Sequence, residues 1–186
     1  MKSLKTSILA AACLLAIPAQ ATTVSGIEIA DNIKPAQDTL VLNGAGVRSK
    51  FFIDLYVGSL YLSQPSQQLD DILAQPSVAV RLNITSGMIT SDKMKAAIIE
   101  GFDDATDGDT QAIQPQIDAF MALFSDEIKQ NDQFTLLAQK QTGVTAYKNG
   151  QAQDTISGEA FRQALLKIWL GDQPAQKSLK KAMLGQ

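Results

Sequence analysis

The hydrophobic positions in the first half of the chain follow the spacing of β-strands. Residues 51–62 are almost continuously apolar and rich in aromatic side chains, which predicts a central strand covered on both faces. Residues 77–84 instead carry apolar side chains at the even positions, so one face of that strand should meet a core. Shorter apolar runs at 24–29 and 38–42 predict two further strands.

Two central segments show the three- and four-residue spacing of helices. The first begins after Thr90, with Ser91 as its cap, and its apolar stripe runs as far as Ala105. The second stripe extends from Ile113 to Ile128 and predicts a helix of roughly four turns.

The last third of the chain returns to extended structure before two final helices. Asn149-Gly150 is the strongest hairpin signal in the sequence. Ser157 can cap a helix that ends at Gly171, and residues 174–184 predict a last short helix. Strands followed by clustered helices predict an α+β fold, with helices on one side of a largely antiparallel sheet.

The first 21 residues have the organisation of a secretory leader. Lys2 and Lys5 precede an apolar run at 8–17, and Ala19 and Ala21 provide the small residues of a cleavage site after it. This pattern predicts a signal peptide cleaved after Ala21, leaving residues 22–186 as one domain. The apolar run is shorter than the roughly 20 residues that a membrane span needs, so we expect no membrane span and a periplasmic or secreted location.

Cysteine and charge usage narrow the classes of partner. The single cysteine, Cys13, lies in the leader, and its lipidation is the alternative to cleavage after Ala21. Loss of the leader removes two lysines and leaves 14 basic against 19 acidic side chains, a formal net charge of −5. This balance argues against nucleic acid or an anionic membrane as a partner. Without a cysteine, the mature domain must be stabilised by packing.

Several kinds of catalytic or cofactor site are disfavoured by the sequence. The chain has no histidine, which excludes a histidine base or zinc ligand of its own. The acidic segment 103–109 does not match a calcium loop, because Ala105 and Gln114 occupy ligand positions. The glycines of 44–48 lack the spacing of a dinucleotide fingerprint. We therefore expect no cofactor and no metal.

One stretch of sequence resembles a known family. It comprises Leu42-Asn43-Gly44-Ala45-Gly46-Val47-Arg48 and the strand-like run from Lys50 to Leu62, with the ending Trp169-Leu170-Gly171 before Pro174. These segments resemble the chalcone isomerase fold family, and most closely its secreted bacterial members, over residues 24–185. The resemblance implies a chalcone isomerase-type open-faced β-sandwich with a ligand cleft between the sheet and the helices.

The resemblance also implies which residues form the site. Isomerases of the family hold their substrate with an arginine at the position of Arg48, which this chain keeps. At three other positions where the isomerases carry polar residues of the site, this chain has different residues, namely Tyr56, Thr90 and Ala97. Non-catalytic, fatty-acid-binding members pair the arginine with a tyrosine at the position of Tyr56. The implied ligand-binding residues are therefore Arg48 and Tyr56, with no catalytic residue.

The residue types fit an anionic ligand if the hairpin brings them together. A guanidinium presents a planar fork to a carboxylate, and a phenol can donate a further hydrogen bond. A three-residue loop at 49–51 places Arg48 and Tyr56 on one face about 13 Å apart, whereas a two-residue loop without a bulge separates them. The alternatives are a surface Arg48 beside a core Tyr56, and Arg81 as the anchor, although Arg81 is more typical of a solvated or paired charge.

The sequence thus predicts an exported, non-catalytic binding domain for a small amphipathic carboxylate, with a fatty acid as the expected ligand. Two alternatives stay open, and protein partners are left open as well. One is an intramolecular lyase or isomerase that uses Arg48 electrostatically, with Tyr56 or Thr90 handling the proton. The other is a structural envelope protein whose fold has no ligand cleft.

Overall fold

Nine strands, five α-helices and one short 3-10 helix (Gln111–Ile113) follow one another in residues 22–186, the part of the chain that the computed structural model describes. The predicted signal peptide lies outside these residues. The strands are β1 (Thr22–Val24), β2 (Ile27–Ile29), β3 (Asn32–Ile33), β4 (Leu40–Lys50), β5 (Ile53–Leu62), β6 (Ser77–Ile84), β7 (Gln133–Gln139), β8 (Gly143–Lys148) and β9 (Gln151–Ile156). The helices are α1 (Leu69–Ala74), α2 (Ser91–Ala105), α3 (Gln114–Ala122), α4 (Glu159–Leu170) and α5 (Lys177–Met183).

Strands β3 to β9 form a seven-stranded antiparallel sheet in which each strand pairs with the next one in sequence. Helices α2 and α3 lie between β6 and β7, and α4 and α5 follow the last strand. The predicted α+β class, with one large antiparallel sheet and a helical layer, is confirmed. No helix within residues 22–186 combines the length and the apolar character that a bilayer crossing requires.

The alternating side chains of β5 separate two cores, as expected for a strand covered on both faces. Tyr56 and Leu60 belong to the core beneath the helices, and Val57 and Tyr61 to a smaller core on the opposite face. Ile29 of β2 is buried in that second core. The short β1–β2 hairpin therefore packs on the face of the sheet opposite the helices, so that face is not fully open.

An aromatic cluster holds the helical layer together. Phe102 of α2 stacks on Phe161 of α4, with ring centroids 5.4 Å apart. Phe120 of α3 meets both rings edge-on, at 6.3 and 5.7 Å. Aromatic pairs in such geometries contribute about 0.5–1.5 kcal/mol beyond their burial. The cluster fixes α2 beside α4, which are the two helices that line the site described below.

Three helix ends differ from the sequence predictions. Thr90 caps α2 rather than Ser91, because its hydroxyl accepts a hydrogen bond from the Lys93 amide. Ser157 does not cap α4, which begins after Gly158. Helix α3 ends at Ala122, so the buried side chains of Phe124 and Ile128 belong to the following irregular segment.

Two further predictions of extent were wrong. Residues 24–29 form parts of two strands instead of one, because Ser25 and Gly26 adopt positive φ angles of 47° and 78° and turn the chain back. The last helix begins at Lys177, three residues beyond Pro174. The predictions for 77–84 and for the Asn149-Gly150 hairpin were confirmed.

Candidate ligand-binding site

The β4–β5 hairpin places Arg48 and Tyr56 directly opposite each other. Its turn has two residues, Phe51 and Phe52, so of the two arrangements that the sequence left open the three-residue loop does not form. The register shifts at Leu55, which is an extra residue in β5 and forms a β-bulge. This bulge compensates for the short turn, because opposite residues of an antiparallel pair share a face and lie about 4.5–5.5 Å apart. The two predicted site residues therefore lie closer together than they would with a three-residue loop.

A cavity of about 560 Å³ opens beside this pair, between the sheet and α2. Its volume lies within the range of roughly 300–1,000 Å³ that is typical of small-molecule sites. Buried apolar side chains from the sheet, the segment before α2, α2 and α4 form much of its wall: Leu82, Ile89, Met94, Ile98 and Ile168. The cavity therefore offers an apolar interior with Arg48 and Tyr56 among its few polar groups.

Tyr56 is buried and oriented by Trp169. The Trp169 Nε1–H donates to the Tyr56 hydroxyl over 3.1 Å, which leaves the phenolic proton available for a ligand oxygen. Burial raises the pKa of Tyr56 above its ordinary value of 10, against the smaller lowering effects of the Trp169 hydrogen bond and the Arg48 charge. The phenol is consequently neutral at physiological pH and acts as a hydrogen-bond donor.

Arg48 is half-buried and held by Gln176, the residue before α5. Its Nη1 donates to the Gln176 Oε1 at 2.9 Å and to the carbonyl oxygen of Ser49 at 3.1 Å. The Gln176 Oε1 also accepts from the Ser49 amide at 3.0 Å, and its Nε2 donates to the carbonyl of Val47 at 3.3 Å, so the side chain is tied to three consecutive residues of β4. Within residues 22–186, no carboxylate forms an ion pair with Arg48. Its positive charge therefore remains for an anionic ligand.

Glycines in β4 allow α5 to come close enough to bring Gln176 onto Arg48. A Cβ atom at Gly46 would lie 2.6 Å from the Cβ of Ala182 and 3.4 Å from a methyl carbon of Leu179. The glycine-rich segment is thus a helix-packing surface within a continuous strand. This finding agrees with the rejection of a dinucleotide fingerprint and gives these glycines a structural role.

Charged side chains surround the mouth of the cavity. Lys50 and Lys93 line it together with Glu100 and Asp104, and all four are exposed. The apolar wall residues are buried, so polarity decreases from the mouth inwards. A ligand with one polar end and one apolar end matches this gradient.

The other candidates from the sequence lie elsewhere or lack the expected chemistry. Ala97 lines the cavity with a methyl group, whereas Thr90 caps α2 and is not part of the lining. Arg81 lies on the opposite face of the sheet, where its Nε donates to the Thr135 hydroxyl at 3.0 Å and its guanidinium stacks on Tyr61. Arg81 therefore belongs to a different part of the molecule from the cavity.

Sequence reasoning missed two residues of the site. Trp169 was interpreted as a core residue, and it is indeed buried, but it also lines the cavity and positions Tyr56. Gln176 could not be identified from the sequence, because a single glutamine before a short helix is common and indicates no particular role. The buried indole could have been found, since a buried Trp N–H usually requires a partner.

Comparisons with known proteins agree with this architecture. A family model described as chalcone isomerase-like matches residues 21–185. No curated protein sequence matches the chain. Among solved structures, a fatty-acid binding protein of Arabidopsis thaliana superposes with a TM-score of 0.66 at 16% identity, covering 86% of this chain and 92% of that one. This likeness shows the fold, and the family match covers nearly all of the described residues. The chain therefore belongs to the chalcone isomerase-like family.

Proposed function

We propose that this protein binds a small amphipathic carboxylate without converting it, and that a fatty acid is its ligand. The observation that carries the proposal is the placement of Arg48 and Tyr56 side by side at a cavity whose buried wall is apolar. The structurally similar Arabidopsis protein is described as a fatty-acid binding protein, which supports the same class of ligand.

The two ends of such a ligand would be recognised by different forces. The guanidinium of Arg48 and the phenolic proton of Tyr56 provide charge-assisted hydrogen bonds to a carboxylate. The acyl chain would lie along the apolar wall, where each buried methylene contributes about 0.8 kcal/mol before the costs of ordering and association. Arg48 thus determines which end of the ligand enters, and the wall determines the favoured chain length.

The same geometry weighs against the two alternatives. An isomerase would need polar groups at the positions of Thr90 and Ala97, but the first caps α2 and the second contributes a methyl group. A structural protein without a ligand would have no use for a cavity of about 560 Å³ beside a cation that lacks an ion-pair partner in residues 22–186.

We further propose that the protein acts in the periplasm or outside the cell after cleavage following Ala21. The leader-like pattern of the first 21 residues supports this location. N-terminal sequencing of the protein from fractionated cells should find residue 22 at the start of the mature chain. Recovery of the uncut chain from the cytoplasm would contradict it.

Binding is tested by native mass spectrometry of the purified protein before and after delipidation, followed by titration with fatty acids of increasing length. We expect added mass that corresponds to a fatty acid and is lost on delipidation. Arg48→Gln should weaken binding about 10- to 100-fold, because a hydrogen bond to a charged group contributes about 1.5–3 kcal/mol. Tyr56→Phe should weaken it less, by about 3- to 10-fold.

Arg81→Gln is the matched control, since it makes the same chemical change on the opposite face of the sheet. It should leave the affinity unchanged. The proposal fails if no fatty acid is retained or taken up, or if Arg48→Gln and Arg81→Gln have equal effects. Cyclisation of a chalcone by the purified protein would establish the enzyme instead.

A further inference from the structure

Two phenylalanines form the apex of the β4–β5 hairpin and project away from the protein. The side chains of Phe51 and Phe52 are 82% and 107% exposed, the highest values among the exposed large hydrophobic residues of the described chain. Their backbones have φ angles of +50° and +65°, in the left-handed region that phenylalanine disfavours. The apex therefore combines exposed aromatic surface with backbone strain.

The β8–β9 hairpin shows that this turn does not need aromatic residues. Asn149 and Gly150 connect β8 to β9 with φ angles of +51° and +80°, and they are the residue types that such turns prefer. At the β4–β5 apex, Phe52 gains no burial in exchange for its strain. Strained positions that the surrounding chain does not compensate point to a role outside the fold.

The surroundings of the apex indicate what it contacts. Lys50 precedes the turn, and its ammonium lies 5.9 Å from the centre of the Phe51 ring. Phe51, Ile53 and Met88 line the cavity mouth while remaining 82%, 38% and 50% exposed. The apex is thus an apolar projection that carries one lysine, beside the opening through which a ligand would pass.

We propose that this apex docks the protein onto the surface of a lipid bilayer. Aromatic side chains favour the interface between water and hydrocarbon, and a lysine beside them can contact lipid phosphates. A second copy of the chain is a poorer occupant, because two phenylalanines offer only about 150–250 Å² each, whereas a stable interface buries about 800 Å² per partner. A bilayer accepts a convex projection without a complementary surface.

Docking at this point would place the cavity mouth against the membrane, so a fatty acid could pass between them without crossing water. This transfer step rests on the proposed function, whereas docking itself does not. The net negative charge of the chain opposes attraction to anionic lipids at long range. We therefore expect insertion of the aromatic side chains to contribute more than the contact made by Lys50.

Vesicle flotation tests the docking, with vesicles of phosphatidylcholine alone and of phosphatidylcholine with phosphatidylglycerol at about 7:3. We expect the protein to float with both kinds of vesicle. The variant F51N/F52G should lower the partition coefficient into the vesicles about tenfold or more, which corresponds to a loss of at least about 1.4 kcal/mol. The variant carries the residues that this turn prefers, so it should fold. Ile99→Asn is the matched control, because Ile99 is 52% exposed on α2 but does not line the cavity, and it should leave the partition unchanged.

Three results would overturn docking: no flotation with either vesicle, equal flotation of the F51N/F52G variant, or an equal loss in Ile99→Asn. A dimer that light scattering detects and that F51N/F52G dissolves, without vesicle binding, would assign the apex to self-association. Fatty-acid retention is measured separately by native mass spectrometry. Docking without retention would therefore refute the proposed function alone, and retention without docking would refute this inference alone.

Discussion

Replacing the apex of the β4–β5 hairpin should stabilise the protein, even though the change removes two hydrophobic side chains. The double substitution F51N/F52G puts at the left-handed positions the residues that the β8–β9 hairpin already carries. A non-glycine residue in this conformation costs about 1–2 kcal/mol, and asparagine and glycine tolerate it best.

The contributions can be compared residue by residue. Phe52 is fully exposed, so its replacement by glycine loses no buried surface, although the greater freedom of glycine in the unfolded chain costs about 0.5–1 kcal/mol. Phe51 covers less than a fifth of its surface, and losing those contacts costs roughly 1 kcal/mol at about 25 cal/mol per Å². Relief at both positions amounts to about 2–4 kcal/mol. We expect a net gain of about 1 kcal/mol.

Urea unfolding followed by circular dichroism measures this gain. The urea concentration at the unfolding midpoint should rise, whereas the slope of the free energy of unfolding against urea concentration should stay unchanged. Tm should increase by about 2–4 °C for a domain of this size. Gly150→Ala is the reciprocal control, because a Cβ atom there meets nothing within 4 Å and its φ angle is +80°. It should lower stability by about 1–2 kcal/mol. A variant F51N/F52G that is less stable than the parent, while Gly150→Ala behaves as expected, would refute the reasoning about strain.

Two further predictions follow from the described contacts. Arg162 lowers the pKa of Glu159 from its ordinary 4.5 to about 2, so this pair contributes stability above pH 4.5 that is lost as the pH falls towards 2. Glu159→Gln should lower the urea concentration at the unfolding midpoint at pH 7, because it leaves the buried Arg162 without its carboxylate. The difference in midpoint between the variant and the parent should narrow below pH 4.5. A difference that stays constant down to pH 2 would contradict this prediction. Gly46→Ala should destabilise the protein by about 1–3 kcal/mol and weaken fatty-acid binding, because the added Cβ displaces α5 and with it the Gln176 that holds Arg48. Urea unfolding measures the first effect and titration with a fatty acid measures the second. An unchanged urea midpoint would contradict this prediction.

The parts of the fold that depend on local sequence could be predicted. Alternation over 77–84 identified β6, and Asn149-Gly150 identified the β8–β9 hairpin, because period and turn chemistry act between near neighbours. The stripe of Met94, Ile98 and Phe102 identified the buried face of α2 for the same reason. The family resemblance added the cleft between the sheet and the helices and the place of Arg48 in it.

The parts of the site that depend on distant contacts could not be predicted in this way. Trp169 meets Tyr56 across 113 residues, and Gln176 meets Arg48 across 128 residues, so no spacing in the sequence relates either pair. The short helix α1 was missed, since six residues with one buried side chain give too little periodicity. The length of the β4–β5 turn stayed open in the sequence, because phenylalanine is an unfavourable residue for the backbone angles of a two-residue turn.

The bulge at Leu55 bears on how the proposed binding pair, Arg48 and Tyr56, can be recognised in related sequences. Between Arg48 and Tyr56, two residues form the turn, four pair with one another across the hairpin, and Leu55 is left over. A relative without a residue at this place would still set its arginine opposite its tyrosine, because a regular two-residue hairpin then needs no bulge. If Leu55 instead took the place opposite Arg48, Tyr56 would lie opposite Val47 and point to the other face. Members of the family are therefore better compared by strand pairing than by the number of residues that separates the two side chains.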